Sequence, residues 1–536
     1  MALPATLIPL ERPMIQNRCF LTVLIIGFMV SALCAANTSA FATGNDSSPL
    51  GTNLSNVVDW STEWVFVDAF KMSRTWTSQR DGLGWGQGGA LDLDDNGWVR
   101  SLQPGQSADA LMQWDGSASG SPGKYIVLYD GKGVLRFSGN ATVASSTPGR
   151  IVLNVNPQNK TNGFILKIVS TNPSDYIRNI RVIRPGFEAT YQTQPFHPLF
   201  LDRIRKFSVL RFMDWQKTNN SPLMNWSDRT TPNTYTQTGS SGVALEYMID
   251  LANRLNSDPW FNMPHQSSDD FVRQFARLVK DRLNPNLKVY IEYSNEIWNG
   301  QFQQARYAAQ QGLALGLSKN SYEAQLRYQS QRSLEIFNIW EQVFGSTNRL
   351  VRVLSTHSAN TWTTTTVLDW KNARSKTDAV AIAPYFCASA GFDDVTKILA
   401  MTVDQLLNYC SNEIATTIKG FMDSQNYAIS SRGLDMIAYE GGQHLVGVGI
   451  NQSNQQLTDL FVSANRNPRM KDLYTTYLNH WKVAGGKLFV NFTSVTPGGK
   501  YGSFGMLEYQ DQDPSTAPKY QALMEFIASN PFRKQH

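Results

Sequence analysis

The sequence predicts an α/β fold: a (β/α)8 TIM barrel with a β-sandwich domain inserted in its first βα unit. Three features predict it. Eight strand-like runs are separated by helical segments. Between the first and second runs the composition changes to Gly, Ser and Asn, with short alternating stretches. Nearly every proposed barrel strand stops at a polar or aromatic residue.

With 536 residues, 42% hydrophobic, 11% aromatic and 17% charged, the chain reads as globular and too long for one compact core, so two domains are expected. The formal net charge of +5 is small and Lys and Arg are scattered, which argues against a nucleic-acid partner. Arg12 and Arg18 precede the apolar run 20–34, FLTVLIIGFMVSALC, and Ala40-Phe41-Ala42 fits a cleavage site. Residues 1–42 therefore read as a signal peptide of an exported protein, secreted or periplasmic, with no membrane span after cleavage. An uncleaved anchor is the alternative, although the run is short for a span. Cys19 and Cys34 leave with this segment. Cys387 and Cys410 remain, as a disulfide or as two buried thiols. A bridge there would contribute about 3 kcal/mol on the chain-entropy account.

Residues 43–84 read as a linker and the first barrel unit, with a strand at 51–54 and a short helix at 66–74. Residues 85–186 form the inserted domain. Its strands fall at 125–129, 134–138, 150–155, 164–170 and 177–183, and Asn96-Gly97 and Asp130-Gly131 are hairpin dipeptides. Asp92 to Gly97 begins like a calcium loop, but Gln103 stands where the bidentate acid belongs, so a hairpin turn is expected. The remainder of the barrel occupies 187–536. Its strands are placed at 208–215, 258–265, 287–296, 350–358, 379–385, 434–442 and 487–494. Helices are placed at 243–255, 269–283, 302–344, 403–422, 473–483 and 520–528. The six His residues show no metal-ligand spacing, and no cofactor fingerprint or Ser-nucleophile elbow stands in a supporting context. No metal and no cofactor are expected.

The densest stretch is 288–300, KVYIEYSNEIWNG. It opens as a strand and breaks at Asn295-Glu296. The other strand ends carry Asn53, Arg211 and Asp214, His265, His357, Tyr385, Glu440 and Asn491. The carboxyl-terminal rim is the active face of this fold, so these residues are the candidates for chemistry. Glu296 and Glu440 end the fourth and seventh strands, three steps apart around the ring, which lets them face each other across the mouth. Two facing carboxyls suit glycoside hydrolysis: one protonates the leaving oxygen, and the other attacks the anomeric carbon or activates water. Their mutual repulsion raises one of them, as an acid at neutral pH requires. Among the tryptophans near strand ends, Trp260 lies within a strand and is expected in the core. Trp215 and Trp298 are expected in the cleft, where flat rings stack on sugars.

At YSNEIWN and AYEGG the chain resembles the clan A glycoside hydrolases, the cellulase-like superfamily; the resemblance spans roughly 51–76 and 197–526. It implies that Glu296 is the acid/base and Glu440 the nucleophile of a retaining mechanism, with the carboxyls about 5–5.5 Å apart. It further implies that Asn295 holds the hydroxyl beside the anomeric carbon, that Arg211 and Tyr385 hold the nucleophile, and that His265 and His357 line the subsites. Where many members carry Trp on the eighth strand, this chain has FVNFTS with Phe492, which leaves the sugar platform to Trp298 or Trp362. The expected protein is an exported monomeric glycosidase acting on β-linked polysaccharide or oligosaccharide, with β-glucan as first candidate. The rival readings are a non-catalytic glycan-binding protein on the same scaffold and a transglycosylase. The insert either caps the cleft or binds glycan through Trp85, Trp98, Trp114 or Tyr129.

Overall fold

The computed structural model describes residues 48–113, 122–156, 163–392 and 394–531. The signal-peptide and most of the linker readings, and Trp114, lie outside the described residues. Eight parallel strands close into a barrel: β1 Leu50–Asn53, β2 Val209–Arg211, β3 Asp258–Met263, β4 Val289–Tyr293, β5 Leu350–Ser355, β6 Ala379–Ile382, β7 Asp435–Ala438 and β8 Phe489–Asn491. Gly51 pairs with Val209 on one side and with Val490 on the other, so β1 joins β2 to β8 and completes the ring.

Side-chain alternation along each strand builds two cores. Val209, Trp260, Val353, Ala381, Ile437 and Val490 fill the barrel interior. Their neighbours Leu210, Phe261, Leu354, Val380, Met436 and Phe489 face the helical layer. Burial on both faces explains why these strands read as near-continuous apolar runs. The helix Asp269–Arg282 shows how the outer layer is built. Ser268 caps it by accepting from the Phe271 amide, Asp269 and Asp270 sit at its positive end, and Phe271, Val272, Phe275, Ala276 and Val279 form the buried stripe. Helical sequence predicted over 302–344 is divided in two, Gln303–Ala314 and Ser321–Phe344. Gly316 takes a left-handed φ of 65° between them, and Asn320 caps the second helix.

Between β1 and β2 the chain forms two four-stranded antiparallel sheets. One runs Thr77–Arg80, Gln106–Met112, Phe164–Thr171, Gly133–Gly139; the other runs Arg178–Ile183, Gly123–Asp130, Arg150–Val155, Ala141–Thr147. Alternate residues such as Ala108, Ala110, Leu166, Ile168, Val127 and Leu153 make their shared core. The entering and leaving segments lie side by side, with Asp68 bridged to Ile183 and Phe66 to Phe196. Such close ends let a barrel loop accept a large insertion. The strand Ala141–Thr147 was not predicted: it is a Ser/Thr-rich edge, exposed from Thr142 onward, and has no hydrophobic alternation to read. Asp94 closes the expected hairpin turn by accepting from the Asn96 and Trp98 amides.

Cys387 and Cys410 are joined in a disulfide with their Cα atoms 5.0 Å apart, which ties the loop after β6 to the helix Val403–Glu413. Among the described residues no helix is long and apolar enough to cross a membrane, and no cluster of His, Cys, Asp and Glu has a metal-holding arrangement. A cavity of about 660 Å³ lies where the insert meets the barrel, lined by Trp98, Arg181, Tyr247 and Arg254 among others; the strand-end carboxyls do not line it.

Candidate active site

Along β4, Val289, Ile291 and Tyr293 pack against the helices, while Tyr290 joins the interior core. Glu292 points inward like Tyr290, at the carboxyl end of the strand. The chain leaves the sheet at Ser294, earlier than the predicted 296, because Ser294 and Glu296 adopt left-handed φ values of 56° and 43°. Such a backbone costs energy in a residue with a side chain and persists only where its surroundings fix it. Here four successive carbonyls are each taken. Asn262 Nδ2 donates to Ser294 O at 2.7 Å and Gln304 Nε2 to Asn295 O at 3.0 Å. The Asn299 amide donates to Glu296 O at 2.9 Å, and Gln325 Nε2 to Ile297 O. The turn that carries Glu296 is thus clamped from β3 and from two helices.

Arg211, fully buried at the end of β2, is the hub of the site. Its Nη1 donates to Glu440 Oε1 at 2.8 Å and to Asn53 Oδ1 at 3.1 Å. Its Nη2 donates to Asn295 Oδ1 at 2.8 Å and to Glu292 Oε2 at 2.9 Å, and Nε also reaches Glu292 Oε2 at 3.3 Å. Burial weakens the hold of Arg211 on its proton, and Glu292 and Glu440 beside it more than offset that. The second oxygen of Glu440 accepts from the Tyr385 hydroxyl at 3.0 Å.

Glu296 has a different set of partners. Its Oε1 accepts from Tyr439 Oη at 3.0 Å and its Oε2 from Asn299 Nδ2 at 2.8 Å. Burial pushes the Glu296 carboxyl above the ordinary range, against the pull of Asn299, Tyr439 and Arg211, and the Glu292 charge adds to the rise. Burial also pushes the Glu440 carboxyl upward, Arg211 is the strongest influence holding it down, and the charges of Glu296 and Asp214 add to the rise. Asp214 is itself raised to about 6, by burial against the attraction of Lys217 and Arg211.

Of the residues the sequence proposed, the structure gathers Asn53, Arg211, Asn295, Glu296, Tyr385 and Glu440 into one hydrogen-bonded cluster, with Tyr439 linking Asn53 to Glu296. Trp298 joins it through its Nε1, which donates to Tyr439 Oη at 3.3 Å, and its ring packs on His357 at 4.3 Å between centroids. Trp362, 44% exposed, lies beside Tyr322. Two expectations are corrected. Trp215 has no exposed surface: the turn after β2 folds it back among Phe66, Phe200 and Phe212, and its Nε1 donates to Ser55 O, so it offers no face to a sugar. His265 is 2% exposed, packs edge-on against Tyr307 and shares a hydrogen bond with Gln266; it makes no hydrogen bond to the cluster and does not line an open subsite. In the insert, Trp98 is stacked on Phe70 and almost fully buried, so it offers no flat face on the open surface of the insert.

Sequence reading missed Glu292, Tyr439, Asn262 and Asn299. Glu292 carried a legible signal: a charged residue at an inward position of an otherwise apolar strand must have a buried partner. Tyr439 carried a weaker one, an inward aromatic with a polar tip next to a strand-end acid. Phe492, in place of the resemblance's Trp, stands with Phe504 and His444 around the Tyr385 ring.

No family model matches the chain, and no curated protein matches it in sequence. Among solved structures, several glycoside-cleaving enzymes align with part of the chain at low identity. A GH5-4 broad specificity endoglucanase from Clostridium acetobutylicum aligns at 11% identity and a TM-score of 0.34, over 61% of this chain and 88% of that one. A 4-O-α-L-rhamnosyl-β-D-glucuronidase from Fusarium oxysporum aligns at 11% identity and 0.39, over 62% and 64%. An exo-β-1,4-mannosidase from an Opitutaceae bacterium, strain TAV5, aligns at 10% identity and 0.37, over 62% and 54%.

Proposed function

We propose that this chain is an exported glycoside hydrolase that cleaves β-linked polysaccharide with retention, using Glu296 as acid/base and Glu440 as nucleophile. The observation that carries the reading is the unequal environment of two carboxyls at the ends of β4 and β7. Two neighbouring buried carboxyls facing one cation retain a proton between them at neutral pH. The donors support Glu296 as its holder. Arg211 donates directly to Glu440, which favours the charged form there, while Glu296 meets only the neutral donors Tyr439 and Asn299. Opposite roles for two carboxyls are what glycoside cleavage needs.

In the first step Glu440 attacks the anomeric carbon as Glu296 protonates the departing oxygen, and a glycosyl-enzyme forms. In the second, Glu296 takes a proton from water, which attacks the same carbon and frees Glu440. Arg211 and Tyr385 hold the two oxygens of Glu440 in one orientation throughout. Asn295 meets the adjacent sugar hydroxyl in this reading, which its fixed position between Arg211 and Asn219 supports. Trp298 with His357, and Trp362 with Tyr322, offer the aromatic faces that sugar rings stack on. The apolar segment 20–34 with its cleavage site supports export.

The test is hydrolysis of β-glucans, mannan, xylan and aryl β-glycosides, alongside Glu296→Gln and Glu440→Gln. Each substitution is expected to lower turnover by about 10²–10⁴ or more, with the anomeric configuration of the wild-type product retained. Undiminished activity in either variant would overturn the assignment. Binding to one of these glycans without turnover would instead mean a glycan-binding protein on the same scaffold.

A further inference from the structure

Glu292 is 1% exposed and has no place in the two-carboxyl mechanism. Four donors converge on its Oε2: Nε and Nη2 of Arg211 at 3.3 and 2.9 Å, Trp260 Nε1 at 3.0 Å and Asn262 Nδ2 at 2.7 Å. Its Oε1 is buried with no hydrogen-bond partner. A guanidinium has five N–H donors, and the five bonds of Arg211 to Glu292, Asn295, Asn53 and Glu440 use all of them. The cation therefore lies between two carboxylates, Glu440 on the cleft side and Glu292 on the barrel side. An apolar residue at position 292 would complete the interior core at lower cost than a buried ion pair.

We propose that Glu292 is a positioning residue that acts through Arg211: it locks the guanidinium plane toward Glu440 and offsets its charge, so that the Glu296–Glu440 pair keeps the proton acid catalysis needs. The inference rests on the hydrolase reading for its purpose, although its electrostatics stand apart from it. With Glu292 present, one cation faces three carboxyls. Without it, the same cation faces two, and both can be charged at neutral pH. The other groups facing this centre are Asp214 with Lys217 after β2, Tyr385 after β6, and Tyr439 on the β7 side. The hydroxyls of Tyr385 and Tyr439 are held protonated by burial and by the facing carboxylates. Trp260 and Asn262 of β3 carry no charge.

The experiment compares Glu292→Gln and Glu292→Asp with the wild-type chain. In Glu292→Gln the alkaline limb of kcat/KM is expected to move down by about one pH unit, the size of shift a neighbouring charge produces. Glu292→Asp keeps the charge, and its limb is expected to stay near the wild-type position. A uniform loss of activity with an unmoved limb in Glu292→Gln would reduce Glu292 to packing and overturn the inference. If Glu292→Gln does not fold, a limb displaced by a full unit in Glu292→Asp overturns it equally, since charge would not be the determinant. Difference infrared spectroscopy of the protonated carboxyl band that Glu296→Gln removes gives a readout independent of turnover. A lowered midpoint in Glu292→Gln, in a chain that hydrolyses no glycan, would overturn the hydrolase reading and uphold the role of Glu292. An unmoved midpoint in an active hydrolase would overturn the Glu292 inference alone.

Discussion

Tyr439 donates its hydroxyl to Glu296 Oε1 at 3.0 Å, although Tyr439 stands immediately before Glu440 and Glu296 follows a strand three places away around the ring. The end of β7 thus governs both carboxyls, one through its own side chain and the other through a phenol that reaches across the mouth. The bond favours the charged form of Glu296. Tyr439→Phe removes it, so the alkaline limb of the pH–rate profile is expected to rise, opposite in sign to the shift in Glu292→Gln. Turnover should fall roughly tenfold as Glu296 loses orientation and Trp298 loses its acceptor. A limb that stays in place would show that Tyr439 does not act on the Glu296 proton.

The clamp on residues 294–297 gives a second prediction. Gln304 and Gln325 touch neither carboxyl directly but hold the carbonyls on either side of Glu296. Gln325→Ala leaves Ile297 O unpaired, and Gln304→Ala also releases Asn219. Each is expected to lower kcat roughly tenfold with little change in KM, since a misplaced acid affects the chemical step more than binding. Steady-state kinetics on one soluble oligosaccharide would decide it; a change confined to KM would place these glutamines in substrate binding instead.

The barrel was legible because buried parallel strands must be apolar on both faces, and eight such runs recurred between helical patterns. The positions of Glu296 and Glu440 at strand ends were legible because each stands where an apolar run stops. Trp215 and His265 misled for a shared reason: both follow the end of a strand, and position along the chain does not say whether the next turn opens toward the cleft or folds back. The chain after β2 folds back, bringing Gln216 N to Phe212 O and Trp215 beneath Phe66. The amides of the site, Asn262, Asn299, Gln304 and Gln325, were invisible because their role depends on carbonyls supplied by other segments. A neutral amide in a helix or strand carries no sign of which backbone it will meet.

The Cys387–Cys410 bridge lies two residues beyond Tyr385 and encloses the loop after β6. Replacing both cysteines by Ala is expected to cost about 3 kcal/mol of stability on the chain-entropy account, visible as a lowered Tm. The Tyr385 hydroxyl should lose some of its hold on Glu440, lowering kcat as well. A doubly substituted chain with unchanged Tm would mean that packing of the helix Val403–Glu413 alone holds this loop.

Glu63, in the loop after β1, supplies the last prediction. It is fully buried, and neither of its oxygens makes a well-formed hydrogen bond. Burial pushes its carboxyl from 4.5 to about 8, and Ser494 nearby offsets only part of that rise. Between these two values the folded chain binds more protons at this site than the unfolded chain does, so stability falls as pH rises. The favourable contribution of the neutral carboxyl is complete below about pH 4.5 and is lost by the time pH passes about 8. Glu63→Gln keeps the shape without the titration. Its Tm is expected to match or trail the wild type at pH 4.5, then overtake it progressively, with the gap levelling off above about pH 8. Calorimetric scans at pH 4.5, 6.5 and 8.5 would check this. A Tm difference constant across the three would show that Glu63 finds a charge-stabilising partner when ionised, and that its burial is not the cost the structure implies.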